Sequence, residues 1–154
     1  MRLSAFSDYS LRVLMVLGTN TDRLITIAEI ARLHGISENH LTKIVHQLGR
    51  AGYIETLRGK GGGMRLARAP RQIVLGEVLR QTETDFALVE CFGSDSRCLI
   101  EPDCQLKAIL AEALSALFRV LDSYTVADIL HQPGHSHPLT ALMTVANRLD
   151  DGAA

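Results

Sequence analysis

The first half of the chain carries helix caps and glycines at a spacing that few folds accommodate. Thr26-Ile27-Ala28-Glu29 matches a capping box, Gly35 can end the helix that starts there, and Ser37 can cap the next helix. Ala31 and Gly35 then have the spacing of a helix-turn-helix unit, with a small residue at the helix contact and a glycine in the turn. The cationic segment 58–63, with sequence RGKGGG, follows between two short strand patterns. Together these signals predict a winged helix-turn-helix.

The remaining apolar patterns predict a mainly α fold. A first helix is expected over 5–18, strands at 53–57 and 64–67, a short strand and a helix within 73–79, and helices at 105–124 and 126–130. The expected domains are a DNA-binding winged helix-turn-helix at 1–80, a cysteine loop at 81–104, dimerisation helices at 105–131 and a tail at 132–154. Leu110, Leu114, Leu117 and Leu121 form part of a continuous apolar stripe on the long C-terminal helix.

Charge is divided unevenly between the two halves. The whole chain has a net charge of −1. Residues 1–71 hold eleven Lys or Arg against five acids, whereas residues 72–154 hold five against twelve. Such asymmetry indicates a polyanionic partner for the first half, and a near-neutral total does not oppose DNA binding, because affinity depends on local phosphate contacts.

The second helix of such a unit places its N-terminal residues against base edges in the major groove. We therefore predict DNA contacts from the exposed face of that helix and from the hairpin tip. Asn39 can pair with adenine and Lys43 with guanine or phosphate, while Arg58 can enter the minor groove or touch phosphates. The predicted DNA-binding residues are Ser37, Asn39, His40, Thr42, Lys43, Arg58 and Lys60. A solvated helix face is the alternative interpretation of each one taken alone.

Three cysteines, Cys91, Cys98 and Cys104, lie in one loop and are the only ones in the chain. Buried structural cysteines usually scatter over core elements, and structural zinc usually takes four ligands with close Cys pairs. An iron–sulfur cluster accepts wide spacing and thiolate ligands, so it fits these residues best, and a thiol-redox switch remains the alternative. The absence of a long apolar segment predicts a cytoplasmic protein with no membrane association.

The chain closely resembles the NsrR and IscR family of dimeric winged-helix repressors over residues 1–130. The resemblance rests on several segments together: 1–4 with Asp8-Tyr9, 30–37, 48–54, 58–63, the three cysteines, and 125–130. It implies a homodimer that pairs through the leucine stripe of the long C-terminal helix (Leu110, Leu114, Leu117 and Leu121) and binds an inverted-repeat operator. In the IscR-type branch a histidine stands three residues after the third cysteine, where this chain has Lys107. Asp8 instead matches the aspartate of the NsrR-type branch.

That match implies a metal site of Cys91, Cys98 and Cys104 completed by Asp8 from the partner subunit. From the residues alone, Asp8 is better explained as an exposed acid favoured at a helix N-terminus, and only the resemblance favours the ligand. The resemblance implies a 4Fe–4S cluster, with 2Fe–2S as the alternative, and release from DNA when nitric oxide nitrosylates the cluster. A regulator of iron–sulfur assembly or general redox state, and a structural-zinc DNA-architectural protein, are the rival interpretations. No nucleophile–base pair accompanies the cysteines, so we expect no enzyme.

Overall fold

The computed structural model describes residues 2–93, 96–100 and 103–130. Its helices are α1 (Ala5–Thr19), α2 (Ile27–His34), α3 (Glu38–Arg50), α4 (Leu75–Thr82), α5 (Gln105–Asp122) and α6 (Val126–Leu130). Strands β1 (Ile54–Leu57) and β2 (Gly63–Leu66) form the wing, and short 3-10 turns lie at Pro70–Gln72 and Glu90–Phe92. The predicted tail at 132–154 lies outside the described residues. No helix in the described ranges has both the length and the apolar character needed to cross a membrane.

The helix-turn-helix forms through the caps that the sequence predicts. The Thr26 hydroxyl accepts the Glu29 N–H at 3.2 Å, and the Glu29 carboxylate accepts the Thr26 N–H at 2.6 Å. Gly35 ends α2 with φ of 64°, a left-handed conformation that glycine adopts without strain. Ser37 then caps α3 by accepting the His40 N–H. The predicted capping box and both caps are confirmed.

The wing is an antiparallel pair in which Ile54 stands opposite Leu66 and Leu57 opposite Gly63. Ile25 extends it, because its backbone exchanges two hydrogen bonds with Met64 at 3.0 and 2.8 Å. The expected short strand near residue 73 is reduced to a single bridge between Val74 and Thr125. That bridge joins the start of α4 to the start of α6.

One apolar core runs through the molecule, and α1 lies at its centre. The side chains of Val13, Leu14, Val16 and Leu17 are buried, and α1 contacts α3, α4, α6 and β2. Core residues from α3, the wing, α4 and α6 surround this face. Because α4 and α6 share the core with the helix-turn-helix, α3 and the wing are held by the same core as the C-terminal elements.

Part of the apolar stripe expected to face a partner also makes contacts within one chain, and its pairing with a second copy stays a prediction. Leu117 and Leu121 line a cavity together with Leu79 of α4, and Leu121 packs against the core. The reason is that α5 lies along α4, so that Phe118 packs edge-on against Phe86 and lies under the Arg80 guanidinium. Leu106, Ile109 and Val120 remain 60%, 59% and 57% exposed on a neighbouring face.

The capping box provides a direct test of the fold. We expect Thr26→Ala to lower the free energy of unfolding by about 1 kcal/mol, because the Glu29 N–H then loses its acceptor. Thr26→Ser keeps the hydroxyl and should stay close to the wild type. Urea denaturation followed by circular dichroism measures both values, and equal stability of the Ala and Ser variants would contradict the cap.

Candidate nucleic-acid interface and cysteine loop

The exposed face of α3 contains the predicted base-reading residues, but they are not equally available. The Ser37 hydroxyl accepts the His40 N–H at 3.3 Å, and the Thr42 hydroxyl donates to the Glu38 carbonyl at 2.8 Å. The His40 ring stands edge-on to Tyr9, with centroids 5.3 Å apart. Asn39 and Lys43 are exposed and have no polar partner among the residues that the structure describes. These two are therefore the side chains that are free to contact a base.

The tip of the wing is an exposed cationic turn. Gly59 and Gly61 have φ of 106° and 78°, and the Gly62 N–H bonds the Gly59 carbonyl at 2.9 Å. These conformations explain why the tip is rich in glycine, since other residues are strained there. Arg58 and Lys60 flank the turn and are both exposed. The structure confirms the predicted hairpin and exposes its two basic side chains. Contact of Arg58 and Lys60 with DNA stays a prediction.

The three cysteines occupy different local settings in the loop between α4 and α5. Cys91 lies in the turn Glu90–Phe92, Cys98 is exposed, and Cys104 occupies the N-cap position of α5. All three are free thiols. The Glu90 carboxylate accepts the Arg97 N–H at 3.4 Å, which draws the two sides of the loop together. Three soft sulfur donors brought into one loop are the kind of ligand that an iron–sulfur cluster takes.

Asp8 lies in the first turn of α1, where a carboxylate suits the positive end of the helix. Its Oδ2 lies 2.9 Å from the Arg12 guanidinium, one helical turn later, and both side chains are nearly half exposed. Within the described residues of one chain, no three His, Cys, Asp or Glu side chains converge. Asp8 and the three cysteines therefore do not form a four-ligand set within one chain.

Two contacts near Asp8 are not apparent from the sequence pattern: the proximity of His34, and the ring contact between Tyr9 and His40. His34, at the end of α2, has a buried Nε2 without a hydrogen-bond partner in the described part of the chain. Burial lowers the pKa of His34, the Arg12 charge lowers it further, and the Asp8 charge opposes both. Arg12 also lies over the Tyr9 ring at 5.8 Å. The Asp8–Arg12 spacing of four residues could have suggested that ion pair, whereas the His34 and Tyr9–His40 contacts join distant parts of the sequence.

Comparison with known proteins identifies the family. The model of the Rrf2 family, an iron-dependent transcriptional regulator, matches residues 3–132. This chain belongs to the Rrf2 family. The HTH-type transcriptional regulator NsrR of Bacillus licheniformis is 50% identical to it over 141 residues, which cover 90% of this chain and 99% of that protein. The predicted resemblance to NsrR-type regulators is thereby confirmed.

Solved structures of Rrf2 relatives confirm the winged-helix fold. The IscR of T. potens is 27% identical, with a TM-score of 0.68 over 84% of this chain and 86% of that one. CymR, described as the global cysteine regulator of B. subtilis, is 25% identical, with a TM-score of 0.68 over 84% and 95%. All three relatives are transcriptional regulators. This Rrf2 protein is thus a DNA-binding transcriptional regulator and not an enzyme, as predicted.

The charges around His34 make the geometry near Asp8 testable in the apo protein. We expect Asp8→Asn to lower the pKa of His34 further, because a favourable negative charge is removed, and Arg12→Gln to raise it. Titration of the His34 imidazole by NMR measures both shifts. Asp22→Asn, on an exposed loop, serves as the control and should leave the pKa of His34 unchanged. An unshifted His34 in both variants would contradict the arrangement.

Proposed function

We propose that this Rrf2 regulator is a homodimeric repressor that senses nitric oxide through an iron–sulfur cluster and then releases an inverted-repeat operator. The observation that carries the proposal is the loop of three free thiols in a chain 50% identical to an NsrR regulator. Cys91, Cys98 and Cys104 would hold the cluster, and Asp8 of the partner subunit would supply the fourth ligand. A 4Fe–4S cluster is favoured, with 2Fe–2S as the alternative.

The donor set supports a cluster with one labile position. Three thiolates are strong ligands for iron, whereas a carboxylate oxygen is a weaker partner for a soft cluster. When bound, the cluster supplies an iron atom that nitric oxide can ligate at that position. Asp8 has a ready alternative partner in its own chain, because its Oδ2 already lies 2.9 Å from Arg12. A carboxylate held between two competing partners suits a ligand that must be displaced.

Apolar surface on α5 supports the homodimer. Leu106 and Ile109 are more than half exposed in the first turns of α5, and Leu99 and Ile100 of the cysteine loop are 97% and 68% exposed. Large apolar side chains grouped next to a ligand-bearing loop are typical of a surface that another protein covers. A second copy of the chain would cover this surface and bring its own Asp8 to the loop.

The DNA contacts follow from the two elements that present unpaired cations. We place the N-terminal half of α3 in the major groove, with Asn39 and Lys43 at base edges, and the tip of the wing with Arg58 and Lys60 in the adjacent minor groove. Ser37 and Thr42 use their hydroxyls within the helix and would contribute mainly to backbone contacts. His40 would orient the helix through Tyr9.

Anaerobic gel shifts of cluster-loaded and apo protein test the proposal. The operator fragment would be selected from a pool of random duplexes. We expect the loaded protein to bind it about 5- to 150-fold more tightly than the apo or nitric-oxide-treated protein, the usual range of allosteric coupling. Iron and sulfide analysis of the same sample should give four of each per chain, or two of each for the alternative cluster.

Three outcomes would point elsewhere. Release by oxygen or by cluster loss, without response to nitric oxide, would favour a regulator of iron–sulfur assembly or redox state. Bound zinc, together with DNA binding that survives replacement of all three cysteines by serine, would favour an architectural zinc protein. Equal operator affinity of loaded, apo and nitric-oxide-treated protein would contradict the proposed function. Arg119→Gln on α5 serves as a variant control for the DNA measurements.

A further inference from the structure

A trough lies between the second half of α3 and strand β1, next to the tip of the wing. Thr42, His46, Gly49 and Arg50 of α3 face Thr56 and Arg58 across it, and its volume is about 620 Å³. Among the residues that the structure describes, those lining this trough include no carboxylate. Glu55 lies between Ile54 and Thr56, which both line the trough. Because side chains alternate along a strand, Glu55 belongs to the opposite face, where it pairs with Arg65.

The basic side chains of the trough differ from several other basic side chains of the chain. Arg12, Arg23, Arg65 and Arg80 each have a carboxylate partner, so those charges are neutralised within the fold; the four partners are Asp8, Glu29, Glu55 and Asp122. In the described ranges, His46, Arg50 and Arg58 are exposed and have neither an ion pair nor a hydrogen bond from their side chains. Their donors are free for an anion from outside the chain.

Gly49 is a second, independent indication that another molecule binds in the trough. It lies in the last turn of α3, where glycine is among the least favourable residues for a helix. A Cβ added there would meet only the Ile54 carbonyl oxygen at 3.9 Å, an ordinary contact, so packing inside the protein does not require a glycine. Its backbone conformation does not require one either, since its φ is not positive. A bare backbone at the floor of an open trough instead allows close approach by another molecule.

The position of the trough between the two DNA-contacting elements indicates what that molecule is. A major groove and its neighbouring minor groove are separated by one sugar-phosphate strand. If α3 lies in the first and the wing tip in the second, that strand must pass between them, which is where the trough lies. We propose that the trough is a binding site for the DNA phosphate backbone, with His46 and Arg50 donating to phosphates over Gly49. This inference rests on the docking of α3 and the wing proposed above.

The experiment measures the affinity of Arg50→Gln and Gly49→Glu for a 40-bp mixed-sequence duplex by fluorescence anisotropy over a range of salt concentrations. Each variant changes the net charge by one unit. We expect roughly tenfold weaker binding or more at low salt, since a charged hydrogen bond is lost or an acid occupies the strand's path. For Arg50→Gln, the slope of log affinity against log salt should fall by about 0.9 per protomer bound. Arg119→Gln, with the same charge change on α5, should keep the wild-type affinity and slope.

Two further variants separate the trough from folding and from the docking itself. Gly49→Ala should melt no lower than the wild type, which shows that the glycine is not needed for the fold. Asn39→Ala should weaken binding to the selected operator while leaving the mixed-sequence duplex unaffected. If Asn39→Ala weakens operator binding but Arg50→Gln and Gly49→Glu keep wild-type affinity and salt slope, the phosphate trough is wrong and the docking stands. If none of these variants affects either DNA, the docking is wrong as well.

Discussion

The burial of one face of α1 holds together α3, the wing, α4 and α6. Its apolar side chains contact these elements, so the helix predicted to read DNA and the wing are both positioned against the same helix. The first turn of α1 is also joined to the end of α4: the Ser7 hydroxyl donates to Thr82 at 2.8 Å, and the Ser4 N–H donates to the Glu83 carboxylate at 2.8 Å. Asp8 lies in this turn, on the helix against which α3 and the wing are packed.

The cysteine loop connects two helices that are joined to each other. It leaves the body after α4 and returns at the start of α5, and the far end of α5 is joined to α4 by the two hydrogen bonds of Arg80 with Asp122, both 2.7 Å long. Gly76 lets Asp122 approach α4, because a side chain at that position would collide with the carboxylate. The described hydrogen bonds within the loop join residues close in sequence, such as the Gly93 N–H to the Glu90 carbonyl at 3.0 Å and the Arg97 N–H to the Glu90 carboxylate at 3.4 Å.

Much of the fold could be predicted from interactions between residues adjacent in the sequence. The capping box at Thr26, the glycine at the end of α2, and the glycine-rich wing each depend on a few adjacent residues, and the structure has them where the sequence predicts. The orientation of α5 was harder to predict, since the periodicity shows an apolar stripe but not which part of it α4 covers. His34 and the Tyr9–His40 contact depend on tertiary packing between separate helices. The role proposed for Asp8 would depend on a second chain, which neither the pattern nor the fold of one subunit contains.

Mixed dimers test that role most directly. A chain with Asp8→Ala is paired with a chain in which Cys91, Cys98 and Cys104 are all serine, and the mixed species is isolated anaerobically through two different affinity tags. If Asp8 acts across the dimer, the intact cysteines meet the intact Asp8 of the other chain. The cluster should then have the wild-type circular dichroism spectrum and lifetime. The opposite mixed dimer, a wild-type chain with a chain carrying all four substitutions, should behave like the Asp8→Ala homodimer. A wild-type cluster in that second dimer, and a weakened one in the first, would contradict the account.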